Sequence, residues 1–492
     1  MLETICQFLL LIPFIAYFAV RYHYNYWKRK KIPNVESHLF DFDWHNLPAI
    51  ELYGNIYRQL EGQRFGGCYV RFTPKLMVRD PELIKKILIK DFDHFLDRGD
   101  VSFDENEPIT MHLFNASGMV WRNLRASLTP AFTSGKIKYM FNLVEECASE
   151  VNEVLHNHLD TSEDVIDIKD ISMRYTIEVI SSCAFGMKAH TIKDGNSMFK
   201  LMASRAFLRT FIAKWVIITR SVFPWLKKML KVPIVNKSVN EFFHKLTNET
   251  VKHRDSNGIQ RNDFLQVLLN MRGNNDKIEI TNDLLTAQCF LFFVAGHDTS
   301  AMTLSGALYE TAANAEIQNK LHREIDTYLK KYNNVVTYEM VKEMPYLHQV
   351  FSETLRKYPV LAAINRRCVE NYQIPETDVV IEKGTEVLIP AGGLHWDPQY
   401  FPDPEKFDPD RFQDADSLLH RSVYLPFGDG PRNCIGSRFA LMSVKLALIY
   451  ILRDFRFSVC SKTKYPFDFE RIKISTSVKH PIFLKYERRN KA

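Results

Sequence analysis

The most constraining stretch of this chain is a helical pattern from Asp283 to about Ala313, with Thr281 as its candidate N-cap and Asp283 in its first turn. At about 1.5 Å per residue such a helix runs roughly 45 Å and crosses a whole domain. Its middle, Cys289-Phe-Leu-Phe-Phe-Val-Ala295-Gly296, is apolar on every face, which predicts burial. The polar run His297-Asp298-Thr299-Ser300 then falls inside that buried helix. Buried polar groups are costly unless satisfied, so this run is a first pointer to chemistry.

Further helical patterns cover Phe141 to His158, Ala315 to Lys331 and Val341 to Arg356. Strand-like pieces occupy Cys68–Val78, Glu386–Pro390 and part of the tail. The mix predicts a mainly α fold with small β-sheets. No repeat or Gly/Ser-rich linker divides residues 28–492, which read as one domain. Ahead of it, Ile5 to Val20 is apolar apart from Gln7 and Pro13. Aromatics from Tyr17 to Trp27 and the basic run Lys28-Arg29-Lys30-Lys31 follow. Residues 1–27 are expected to form a retained membrane anchor, at the short end of what a spanning helix needs. A cleaved signal peptide would want early basic residues and an A-x-A site, both absent here. Basic residues after the apolar run would keep the domain on the cytoplasmic side.

A net charge of +6 over 492 residues is too sparse for a nucleic-acid binder and suits an acidic protein partner or anionic lipid. The eight cysteines form no C-x-x-C and no zinc spacing, which fits a reducing compartment.

The second pointer is Leu425-Pro-Phe427-Gly428-Asp-Gly430-Pro-Arg432-Asn-Cys434-Ile-Gly436, followed by a helical pattern from Ser437 to Ile451. Its glycines allow a tight turn and close approach to a flat ligand. Cys434 stands just before a helix N-terminus, where backbone N–H groups and the dipole lower a thiol pKa. A thiolate in a dry pocket is a strong axial donor to iron. A lone Cys on a Gly-rich turn would instead be structural. Here F-x-x-G-x-x-x-C-x-G is matched at every defined position, with Arg432 two before the Cys.

That segment resembles the signature of the cytochrome P450 family. The resemblance implies that Cys434 ligates haem b, with the thiolate favouring O–O cleavage. Phe427 would pack beside the sulfur, Gly428 and Gly436 would shape the loop, and Arg432 would reach a propionate. Three more segments match in family order. Ala295-Gly296-His297-Asp298-Thr299-Ser300 resembles the oxygen-activation sequence. There Gly296 would clear space for dioxygen, Thr299 would bond back to the Ala295 carbonyl, and Asp298 and Thr299 would relay protons. His297 is expected to bond locally, away from the iron. Glu353-Thr-Leu-Arg356 shares a helix face and would be joined by Arg411 of Pro409-Asp-Arg-Phe412 in a buried structural triad. Trp121 and Arg125 would hold one propionate, and Arg98 and Arg366 match the remaining propionate partners.

More narrowly, Asp91 to Gly99 and Trp121 to Gly135 resemble the insect microsomal branch, which includes many enzymes oxidising plant toxins and insecticides. The implied reaction is RH + O2 + NADPH + H+ giving ROH, NADP+ and water, at the endoplasmic reticulum membrane. No G-x-G-x-x-G unit holds NADPH or flavin, so electrons must come from a partner. By resemblance that is NADPH–cytochrome P450 reductase, with cytochrome b5 as a possible helper. Arg122, Lys136, Lys138 and Lys445 are candidate docking residues. Phe114, Phe207, Phe292 and Phe293 are candidate walls of a pocket for a lipophilic substrate, or plain core. The 202–225 stretch is an amphipathic pair or a membrane-dipping gate. Three other readings stand beside this one: oxidation of an endogenous hormone, sterol or fatty acid; a haem-thiolate isomerase or dehydratase; and a silent haem protein. The intact Asp298-Thr299 pair speaks against the last two.

Overall fold

The computed structural model describes residues 14, 17–36, 47–70, 72–99, 104, 106–161, 164–207, 233, 235–272, 278–414, 423–471 and 475–490. In chain order the elements that position the site are α1 (Ala49–Gln59), β1 (Phe65–Val70), β2 (Thr73–Val78), α2 (Gly118–Leu128), α3 (Ser134–Asp160), β3 (Val165–Asp167), α4 (Ile168–Ile180), α5 (Lys237–Asn257), α6 (Asn282–Ala313), α7 (Ala315–Lys331), α8 (Tyr338–Glu343), α9 (Pro345–Lys357), β4 (Ile364–Arg367), β5 (Tyr372–Gln373), β6 (Val380–Ile381), β7 (Glu386–Ile389), α10 (Ser437–Leu452), β8 (Phe455–Val459) and β9 (Phe483–Arg488). The fold is mainly helical with small sheets.

The long helix is α6, and Thr281 caps it by accepting the Leu284 N–H at 3.2 Å. It is buried along most of its length, at the centre of the larger apolar core. Two glycines set how closely its neighbours approach. A Cβ on Gly296 would lie 2.5 Å from Ile180 Cδ1 on α4, and one on Gly306 would lie 3.1 Å from the Tyr358 ring. Gly296 therefore lets α6 and α4 pack closely.

The pattern from Val341 to Arg356 resolves into two helices, α8 and α9. Pro345 lacks an N–H and holds Met344 in an extended conformation (φ −65°, ψ 106°), so the pattern breaks there. The strand-like run Cys68–Val78 is a hairpin, β1 and β2, in register Phe65 opposite Val78. The larger sheet has the order β1-β2-β7-β4 and shelters a second apolar core. A three-stranded sheet, β3-β9-β8, ties the tail back to the start of α4. β8 is one of its two edge strands. The Gln318 side chain on α7 accepts the Phe457 N–H and donates to the Phe457 carbonyl, both at 2.8 Å, closing part of that edge.

Among the described residues no helix is long and apolar enough to cross a membrane. Residues 1–13, most of the apolar run assigned to the anchor, lie outside the described residues. Trp27, read as the end of that anchor, is buried in the domain, with Nε1 donating to the Cys68 carbonyl at 3.1 Å. Lys28 and Lys30 pair with Glu36 and Glu382.

Candidate active site

The Cys434 loop enters from Leu425, whose N–H donates to His395 Nε2 at 2.9 Å. It turns through Gly428 (φ +69°) and Gly430 (φ +70°), left-handed positions that suit glycine. The Cys434 N–H donates to the Phe427 carbonyl at 2.8 Å and closes the turn. A Cβ on Gly430 would fall 1.8 Å from the Leu88 carbonyl oxygen, so this glycine seats the loop on the 86–90 backbone. A Cβ on Gly436, by contrast, would meet only the Phe132 ring at 3.9 Å. The Phe132 ring also lies 5.3 Å from the Phe292 ring on α6, bridging the loop and the long helix. The Cys434 side chain remains accessible, although protein crowds around it. Burial pushes its thiol above the usual value, against a Gly436 N–H and the charges of Arg98 and Arg125. The sequence reading expected a lowered thiol pKa; in the protein alone desolvation outweighs the helix terminus.

Four arginines from separate segments gather near this loop. Arg366 and Arg432 are 1% and 2% exposed. Burial first, and then mutual repulsion, lowers Arg98 to about 10 and Arg432 to about 9, and holds Arg366 well below its ordinary value. Arg125 is lowered mainly by burial. Arg125 donates to the Asn433 carbonyl at 2.8 Å and to Asn433 Oδ1 at 2.7 Å, and Arg98 donates to the Arg432 carbonyl at 3.3 Å. Arg432 donates to the Ala116 carbonyl and lies over the Trp121 ring at 4.5 Å. Asp97, 3.8 Å from Arg432, is the carboxylate that opposes this charge. The Nε atoms of Arg98, Arg366 and Arg432 and Nη1 of Arg432 have no hydrogen-bond partner. Four crowded cations, three of them with unmet donors, call for an anionic group between them. A flat dicarboxylate such as haem fits that demand. Phe114 lies at the edge of this cluster, with Arg98 4.2 Å above its ring.

On α6, Thr299 Oγ1 donates to the Ala295 carbonyl at 2.7 Å, on a face where Ala295 stays exposed. His297 turns inward to the Phe293 carbonyl at 2.6 Å. Asp298 is 2% exposed, and its Oδ2 accepts from the Ser475 hydroxyl of the C-terminal arm. Phe293 is fully buried among Phe199, Phe243 and His297, so it is core rather than pocket wall. Phe292 packs on Phe132 and Phe264. The Phe207 side chain and most of the 202–225 stretch lie outside the described residues.

Behind the loop, Glu353 and Arg356 are both fully buried and pair at 2.7 and 2.9 Å. Arg356 also donates to the His395, Pro404 and Lys406 carbonyls. Arg411 stands farther off, 3.5 Å from Glu353. Of the docking candidates, Arg122 pairs with Asp93 and Lys138 with Glu339, both at the surface, and Lys136 is exposed. Lys445 is not at the surface: it is 1% exposed and donates to the Val341 and Met344 carbonyls. Helix α10 is apolar enough to be buried all round, and it carries the lysine in with it. Sequence reasoning missed His395, which stands in no motif. His112 is a buried histidine packed near Phe290.

A family model described as Cytochrome P450 matches residues 53–485. A probable cytochrome P450 6a13 of Drosophila melanogaster is 37% identical, over 98% of this chain and 99% of the relative. Cytochrome P450 6k1 of Blattella germanica is 37% identical, over 93% and 92%. Cytochrome P450 6A1 of Musca domestica is 36% identical, over 96% of each.

Proposed function

Since the chain belongs to the cytochrome P450 monooxygenases, we propose that Cys434 would supply the thiolate that holds its haem and that the enzyme oxidises lipophilic foreign compounds such as plant toxins or insecticides. Haem iron, when bound, supplies the centre at which dioxygen is activated. The observation that carries the reading is the arginine cluster beside Cys434, whose unmet donors call for two carboxylates. Arg98, Arg125, Arg366 and Arg432 hold the propionates, with Trp121 stacked under Arg432. Occupancy removes the repulsion among those arginines. The Thr299–Ala295 hydrogen bond sets a side-chain hydroxyl beside a main-chain carbonyl on the open face of α6. Asp298 and Thr299 would relay protons, with Thr299 presenting its hydroxyl to the open face. Glu353, Arg356 and Arg411 brace the segment that carries the Cys loop.

Electrons come from NADPH through a membrane-bound reductase, helped by cytochrome b5, at the face carrying Arg122, Lys136 and Lys138. Residues before Trp27 anchor the enzyme to the endoplasmic reticulum, with the 28–492 domain in the cytoplasm. The test is the reduced, carbon monoxide-bound absorption spectrum of wild type and Cys434→Ser. Wild type is expected to give the red-shifted Soret band of a thiolate-ligated haem, and the variant to lose it. A band that survives the substitution removes Cys434 from the site. Turnover of a lipophilic panel with added reductase then tests the substrate class; oxidation confined to sterols or fatty acids refutes the detoxifying role.

A further inference from the structure

The Asp298 carboxylate of the proposed site is tied to a part of the chain that no motif covers. Asp298 and Thr299 are adjacent on α6, so their side chains leave the helix about 100° apart. Thr299 faces the open side, while Asp298 is directed to the C-terminal arm, where Ser475 Oγ donates to its Oδ2. Both residues are buried, at 2% and 8% exposure. The arm is itself fixed. The Thr476 N–H donates to the Val360 carbonyl at 2.8 Å, the Glu470 N–H to the Ser477 carbonyl at 2.8 Å, and Phe469 bridges to Val478. With the backbone of the arm held, the Ser475 hydrogen bond opposes a swing of the Asp298 carboxylate toward Thr299. We propose that Ser475 is a positioning residue that sets the orientation of Asp298, so that the C-terminal arm governs how much consumed reductant ends as oxidised product rather than as hydrogen peroxide. This rests on the monooxygenase reading above.

The test uses the full-length enzyme and the variants Ser475→Ala, Ser475→Thr and Asp298→Asn. The first readout is independent of turnover: the infrared carboxyl band of Asp298, assigned by its loss in Asp298→Asn. That band is expected to shift in Ser475→Ala and return in Ser475→Thr. The second is product formed per NADPH consumed with added reductase. It is expected to fall about tenfold in Ser475→Ala, the scale of one lost hydrogen bond to a charged group, and to recover in Ser475→Thr. A band that does not move in Ser475→Ala, or a product ratio within twofold of wild type, overturns the proposal. If Ser475→Ala fails to fold, Ser475→Cys, close in size but a weak donor, is read in the same two ways. The carbon monoxide spectrum separates the two failures. A normal thiolate band with unchanged coupling refutes only the role of Ser475, whereas a missing band in wild type refutes the site.

Discussion

Mild acid should loosen the Cys434 loop through His395. This imidazole is fully buried, and its Nε2 accepts the Leu425 N–H, which requires the neutral ring. Burial, helped by Arg356, pushes its pKa from 6.5 down to about 3. The unfolded chain binds this proton below about pH 6.5 and the folded chain does not, so stability is full above that pH and falls as pH drops toward 3. Between pH 7 and pH 5 one such histidine costs about 2 kcal/mol. His112 and His322 are also buried, each lowered to about 4, and on the same reasoning the three together cost about 6 kcal/mol. That is a large part of an ordinary domain's stability of roughly 5–15 kcal/mol. The assay is urea unfolding of wild type and His395→Gln at both pH values, followed by tryptophan fluorescence. Glutamine can still accept the Leu425 N–H but does not titrate. The variant's loss between pH 7 and pH 5 should be smaller by about 2 kcal/mol. Equal losses in the two proteins would refute the assignment of the acid sensitivity to His395.

Two further outcomes are expected. Arg356→Leu strands a fully buried carboxylate and should cost about 3–5 kcal/mol in urea unfolding; Arg411→Gln, which removes a partner 3.5 Å away, should cost clearly less. Gly430→Ala forces a methyl onto the Leu88 carbonyl and should prevent haem incorporation, whereas Gly436→Ala, whose only contact is 3.9 Å away, should still load haem by absorption. Equal haem content in the two glycine variants would refute the close approach at Leu88.

Local features of the site were legible because short-range geometry dictates them. The Thr281 cap, the Thr299 bond to Ala295 and the Glu353–Arg356 pair all follow from helical spacing. The pairing of Ser475 with Asp298 spans 177 positions, and only the folded chain reveals it. The two faces of α6 were illegible for another reason. A helix apolar all round carries no periodicity to show that Phe292 reaches Phe132 while Phe293 faces the core. Lys445 misled because charge suggests exposure, and the carbonyls that hold it come from α8 and the residue after it. Four arginines could be matched one at a time to a family pattern, but their crowding against one another belongs to the tertiary structure.

The amide of Gln318 has a consequence for how copies of this chain behave side by side. An edge strand with free N–H and C=O groups is a template for another strand, and proteins confined near one surface meet at high local concentration. By taking both polar groups of Phe457, Gln318 leaves an incoming chain no hydrogen bonds at the middle of β8. One neutral side chain thus discourages edge-to-edge aggregation without adding charge or shortening the strand.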